Sequence, residues 1–138
     1  MPPLQQFAAL PYVEHPDGVL VLLISSRDTG RWVIPKGWPK SKLTPSGLAA
    51  LEARQEAGIS GDIATEPLGS YDYTKRLHLL SWARCRVEVF ALRADVQALD
   101  WKEKPDRRQL WCPPRHAAAL VREVGLSRLL VRFSESVR

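Results

Sequence analysis

The chain has 138 residues, 45% hydrophobic and 25% charged, which predicts one soluble domain over residues 1–138 and excludes collagen-like, coiled-coil and largely disordered chains. Lys and Arg number 20 against 15 Asp and Glu, a formal charge of +5, which favours anionic partners: phosphates, nucleic acid or a membrane surface. No apolar run approaches the ~18 residues that span a bilayer, and Met1–Leu10 lacks the basic-then-apolar pattern of a secretory signal, so a cytoplasmic protein without a membrane partner is expected.

Gln5–Val13 reads as a strand. His15-Pro16-Asp17-Gly18 is a turn, because proline presets φ and glycine tolerates φ > 0. Val19–Ile24 is a continuous apolar run suited to a strand buried on both faces. Asp28-Thr29-Gly30 marks the next turn, and Arg31–Ile34 a short strand. Pro35–Leu43, rich in Pro, Gly and Lys, reads as a loop. Thr44 suits an N-cap and Pro45 the first helical position, where its missing N–H costs nothing. That helix runs to about Ala57, and Gly58 fits the left-handed cap that ends it. Ile63–Thr74 carries one or two strands. Within Trp82–Leu92, the residues Ala83, Cys85, Val87, Val89 and Ala91 alternate with Arg84, Arg86 and Glu88, the pattern of a half-buried strand. Asp100–Arg108 is polar and reads as a loop, and Leu110–Cys112 as a short edge strand. Pro114 opens a helix to about Val124, stopped by Gly125, and Ser127–Phe133 forms a further short helix. The fold class that follows is α/β: a mixed sheet with helices on both sides.

The stretch that carries chemistry is Gly37–Ile59. Positions i, i+3 and i+4 share a helix face, so Glu52, Gln55 and Glu56 project together. Two carboxylates and an amide oxygen make an all-oxygen set, which hard cations such as Mg²⁺ or Mn²⁺ prefer. Backbone carbonyls of the preceding Lys36-Gly37 loop can reach the same cation. An i, i+4 acidic pair by itself more often marks a solvated helix face. The two cysteines, Cys85 and Cys112, and the histidines His15, His78 and His116 lack ligand-pair spacing, so zinc is not the expected metal.

Counted from Gly37, Glu52 stands at +15, Glu56 at +19, Gly58 at +21 and Ile59 at +22. This register resembles the Nudix hydrolase signature, in which a glycine precedes a helix carrying Arg-Glu and Glu-Glu pairs and a closing glycine. Ser25-Ser26-Arg27 and Arg31–Gly37 before it, then Leu99-Asp100-Trp101, Arg107-Arg108 and Trp111 after it, look like the diphosphoinositol polyphosphate and diadenosine polyphosphate hydrolase branch. The resemblance implies an α/β/α sandwich and hydrolysis of a diphosphate link in a small nucleoside- or inositol-polyphosphate substrate. It also implies a divalent cation held at Glu52 and Glu56.

The signature is degenerate in three places: Leu43 stands at the +6 glutamate, Leu51 at the +14 arginine and Gln55 at the +18 glutamate. Losing an arginine and its acidic partner together can be nearly neutral, so Leu43 and Leu51 are expected to pack near each other. Gln55 matters more, since an amide accepts no proton at neutral pH though its oxygen still binds a cation or water. Three alternatives follow. Glu52, Glu56 or Glu103 takes the proton; or the cation alone lowers the water's pKa enough; or the chain is a ligand-binding module with weak or absent catalysis.

Phosphate recognition calls for charge-assisted donors. The candidates are Ser25, Ser26, Arg27, Arg31, Lys36, Lys75, Arg76, Arg107 and Arg108, with Trp32 and Trp101 as stacking or packing residues. No helix-turn-helix, zinc-finger or RNA-binding aromatic signature accompanies the charge, so a nucleic-acid partner is not expected. The oligomeric state is left open.

Overall fold

The computed structural model describes residues 2–137. Eight strands share one sheet. Strand β1 (Leu4–His15) turns at Gly18, φ 128°, into the antiparallel β2 (Gly18–Ser25). β3 (Trp32–Val33) pairs with β2. β4 (Lys36–Gly37), β5 (Ile59–Ile63), β6 (Gly69–His78), β7 (Ser81–Gln97) and β8 (Gln109–Cys112) follow. β1 runs parallel to β7 from Leu4↔Cys85 to Tyr12↔Arg93. β5 and β6 lie antiparallel to β7, and β8 to β2.

Helix α1 (Pro45–Ala57) covers one face, over Ala9, Leu22, Ile24, Phe90 and Leu92. Helices α2 (Pro114–Leu120) and α3 (Val124–Ser136) cover the other, over Ala8, Leu10, Val21, Leu23, Val87 and Val89. Neighbouring strand residues thus enter opposite cores, as the two-residue period of a strand requires. β2 is buried on both sides, as its unbroken apolar run foretells. β7 keeps its one-sided alternation to Val89, after which Phe90 and Leu92 go under α1.

Both ends of α1 match the sequence reading. The Thr44 hydroxyl accepts the Gly47 N–H at 3.0 Å, Pro45 opens the helix, and Gly58 caps it at φ 70°. Three other expectations need correction. The segment 35–43 is not all loop: Lys36-Gly37 pairs with Ala8 and Phe7, and the Ala9 N–H donates to the Pro35 carbonyl at 3.0 Å. The strand after α1 starts at Ile59 rather than Ile63, because the Gly58 cap releases the chain directly onto the edge of β7. Gly125 does not stop a helix. α2 ends at Leu120 with Val121 extended, and Gly125 lies in the first turn of α3, where an added Cβ would stand 2.7 Å from the Tyr71 Cβ. Its smallness lets α3 approach β6.

One edge of β1 is divided between two partners. β2 takes Tyr12–His15 and β4 takes Phe7-Ala8. This fork sets Lys36 and Gly37 at the end of the sheet, directly before α1.

Candidate active site

α1 buries Leu48, Ala49, Glu52, Ala53, Glu56 and Ala57. The two glutamates therefore lie on the sheet-facing stripe of the helix, and the solvated-face reading of the pair does not hold. Glu52 is 8% exposed and Glu56 6%. Burying a carboxylate costs several kcal/mol unless partners offset it, so placing two here calls for a compensating cation. The alanines beside them keep α1 close to β1. Glu52 rests against Gly37, where any Cβ would overlap its Oε1, so glycine there lets Glu52 keep this position.

The protein supplies only part of the compensation. Arg107, itself 10% exposed at the side chain, sets Nη2 3.3 Å from Glu56 Oε1. The same guanidinium donates through Nε and Nη2 to Glu103 Oε1, both at 2.9 Å, and through Nη1 to the Ser25 carbonyl at 3.0 Å. Arg27 Nε stands 3.6 Å from Glu103. Among the described residues Glu52 has only Lys40 Nζ, at 4.0 Å. Burial pushes the Glu56 carboxyl up to about 8 against the pull of Arg107, with Glu52 and Glu103 adding to the rise. Burial also lowers the Lys36 ammonium, against Glu56 and Glu123.

These side chains line a cleft of about 380 Å³. Of the residues singled out in the sequence, it gathers Ser26, Arg27, Lys36, Gly37, Glu52, Gln55, Glu56, Lys75 and Arg107, with Glu103. Four do not line it. Ser25 is buried, its hydroxyl accepting the Arg108 N–H at 2.8 Å. Arg31 donates to Thr29 Oγ1 at 3.1 Å. Arg76 donates to the Leu79 carbonyl at 2.9 Å, at the tip of the β6–β7 hairpin. Arg108 donates to the Gly30 carbonyl at 3.0 Å, with its guanidinium 4.9 Å from the Trp32 ring. The three arginines are spent on holding turns, and Ser25 on joining the end of β2 to the start of β8. Trp101 likewise packs against the Gly58 cap and donates to the Glu56 carbonyl at 3.2 Å. Leu43 is 41% exposed, and Leu51 lines a different groove with Arg54, Gln55 and Trp101, so the two leucines form no buried pair.

The sequence reading missed Gln6, Asp28, Trp38 and Lys40. Gln6 carried a usable signal: a polar residue in the inward register of Ala8 and Leu10. Lys40 and Trp38 sit in the loop between β4 and α1, where no period distinguishes inward from outward.

The donor set suits a hard cation in part. Glu52 and Glu56 supply carboxylate oxygens and Gln55 an amide oxygen on the same helix. Among the described residues no group of three or more His, Cys, Asp or Glu is arranged around one metal position. Mg²⁺ commonly takes one or two carboxylates and completes its shell with water and phosphate oxygens, and that is what this set offers.

Comparison with known proteins agrees with the geometry. No family model matches the chain. Nudix hydrolase 12, mitochondrial, of Arabidopsis thaliana is 29% identical over 116 residues, covering 82% of this chain and 57% of the relative. Diphosphoinositol polyphosphate phosphohydrolase 2 of Rattus norvegicus is 31% identical over 100 residues, covering 71% and 51%. The crystal structure of C. elegans Ap4A hydrolase superposes with a TM-score of 0.70 at 15% identity, covering 99% of this chain and all of that one. The chain is a Nudix-type domain: it has the Nudix fold and resembles Nudix hydrolases in sequence over most of its length. It spans less than two thirds of the length of these curated relatives.

Proposed function

We propose that the chain hydrolyses a diphosphate linkage in a nucleoside- or inositol-polyphosphate substrate, with Mg²⁺ or Mn²⁺ at Glu52 and Glu56. The observation that carries this reading is the burial of two incompletely compensated carboxylates at one cleft whose other walls carry Arg27, Lys36, Lys40 and Lys75. The relatives named above, which act on diphosphoinositol polyphosphates and Ap4A by their names, support it.

A divalent cation there would neutralise phosphate oxygens and acidify the attacking water. The chain's own groups do the rest. Arg107 holds Glu56 and Glu103 in fixed positions. Arg27, Lys36 and Lys75 bind the phosphate oxygens and offset charge that grows in the transition state. Gln55 orients the water through its amide oxygen and takes no proton. With Glu52 and Glu56 committed to the cation, Asp28 and Glu103 are the cleft carboxylates left to accept the proton, and Glu103 is the one that Arg107 holds in place beside Glu56. Only its Oε1 is bonded among the described residues, so Oε2 is available. Glu103→Gln should lower kcat by ~10²–10⁴-fold, the range of general-base catalysis.

The second reading, a ligand-binding module with feeble turnover, is favoured by Gln55 alone. Phosphate release with Mg²⁺ or Mn²⁺ across dinucleoside polyphosphates, diphosphoinositol phosphates, nucleoside triphosphates and nucleotide sugars separates the two. Turnover on any of them is expected. No turnover, together with a gain of hydrolysis in Gln55→Glu, would establish the binding module instead.

A further inference from the structure

The β6–β7 hairpin outruns the rest of the sheet. β1 last pairs with β7 at Leu4↔Cys85, so Thr74–His78 and Ser81–Arg84 continue beyond it as a two-stranded ribbon. Four residues of β7 carry the tip ~13 Å clear of the sheet. The tip is Leu79-Leu80, 74% and 88% exposed, and Trp82, opposite Arg76 on the ribbon, is 60% exposed. Two-residue hairpin turns favour Asn, Asp or Gly, so leucine here serves neither the turn nor a core. From Tyr73 to Val87 the chain carries Lys75, Arg76, Arg84 and Arg86 and no Asp or Glu. Arg86 is paired with Asp72 at the base of the ribbon. Arg76 sets its guanidinium 5.4 Å from the Trp82 ring centroid. Arg84 is exposed, with no carboxylate within ion-pair distance among the described residues.

A projecting apolar tip, an indole beside a guanidinium and flanks free of acidic residues match the boundary of an anionic bilayer. There leucines enter the acyl region, tryptophan rests at headgroup level and arginines meet the anionic headgroups. We infer that the β6–β7 tip is a peripheral docking site for an anionic membrane surface, with Leu79, Leu80 and Trp82 inserted and Arg76 and Arg84 on the headgroups. The expectation of no membrane partner came from the lack of a spanning run. Among the described residues no helix is long and apolar enough to cross a membrane, and surface docking needs none. A second copy fits the tip less well, since a two-fold contact would set like-charged arginines against each other. So small an apolar anchor holds only marginally by itself, so attachment is reversible and depends on the basic flanks. Lys75, on the same ribbon, lines the cleft, so the docked chain holds its cleft beside the lipid surface. None of this rests on the proposed hydrolysis.

The test is flotation of the protein with unilamellar vesicles over a range of lipid concentration. One set is phosphatidylcholine alone and the other contains about 30% phosphatidylserine, whose surface potential attracts basic segments. Wild type should float with the phosphatidylserine vesicles, far less with phosphatidylcholine, and progressively less as salt rises. Leu79→Ser/Leu80→Ser should weaken binding at least about tenfold, since two leucines leave the lipid. Arg84→Ala should weaken it about fivefold, the effect of one basic residue at an anionic surface. Lys102→Ala removes the same charge beyond the opposite end of β7 and should bind as wild type. Absence of wild-type flotation overturns the docking site, and so does wild-type binding by the leucine variant. Equal flotation with phosphatidylcholine alone overturns the anionic surface. Equal losses in Arg84→Ala and Lys102→Ala would reduce the effect to net charge and overturn the tip as its seat. Sedimentation of wild type as a dimer that the leucine variant abolishes, without vesicle binding, would assign the tip to a second copy instead.

Discussion

Arg107 touches three groups at once, and each belongs to a different part of the chain: Glu56 on α1, Glu103 in the preceding turn and the Ser25 carbonyl at the end of β2. Removing it leaves Glu56 buried without its principal counter-charge, the situation that costs ~3–5 kcal/mol when one partner of a buried pair is deleted. Arg107→Met should therefore lower stability by that order in urea denaturation of the metal-free protein at pH 9, above the value of about 8 to which burial pushes the Glu56 carboxyl. Adding Glu56→Gln to Arg107→Met should recover most of the loss, because the stranded charge is gone. A double variant no more stable than Arg107→Met would show that the guanidinium acts through packing instead. Gly37→Ala is the complementary case on the other carboxylate. Its Cβ would overlap Glu52 Oε1, so Glu52 must move, and activity should fall by far more than stability, which overpacking lowers by ~1–3 kcal/mol.

Elements bear the cost of assembling this site. α1 has no acidic residue in its first turn, and its buried stripe carries two charges, so its caps matter more than usual. Thr44→Ala removes the acceptor for the Gly47 N–H and should cost about 1 kcal/mol in thermal or urea unfolding. The β6–β7 hairpin, which presents Tyr73 and Lys75, is tied by the Arg86 fork on Asp72, at 2.9 and 3.1 Å. The hydrogen bonds from Arg86 hold the Asp72 carboxyl below its usual range. A carboxyl lowered in the folded state stabilises at pH above its unfolded value of ~3.9 and ceases to do so as pH falls through the folded one. The stability gap between wild type and Asp72→Asn should accordingly close as pH drops below about 4. A gap that persists at pH 2 would mean the pair contributes nothing through its charge.

At the scale of the whole molecule, what could be read from the sequence was whatever is local and periodic. Thr44-Pro45 and Gly58 marked α1 because capping is decided within a few residues. The β2 and β7 patterns gave their burial because side chains alternate strictly. The acidic pair was legible as a pair, yet its burial was not, since a helix with alanines at 49, 53 and 57 has no strong apolar face to point inward. Arg107 and Glu103 could be named only as candidates, because the bonds that bring them to Glu56 span some fifty residues of chain. The failure over Gly125 has the same origin: its smallness answers Tyr71 on another element, and sequence offers a nearby helix stop as the cheaper explanation. Excess positive charge, +5 overall, proved to be divided in purpose. Arg27, Lys36, Lys75 and Arg107 line the cleft, while Arg31, Arg76 and Arg108 hold turns.

The two buried glutamates of α1 are central to the proposed chemistry as its cation site. Titration of Mn²⁺ followed by electron paramagnetic resonance tests this without any choice of substrate. Wild type should take up one Mn²⁺, and Glu52→Gln/Glu56→Gln should lose it while keeping the same far-ultraviolet spectrum. Equal Mn²⁺ uptake by the folded double variant would show that Glu52 and Glu56 are not the cation site.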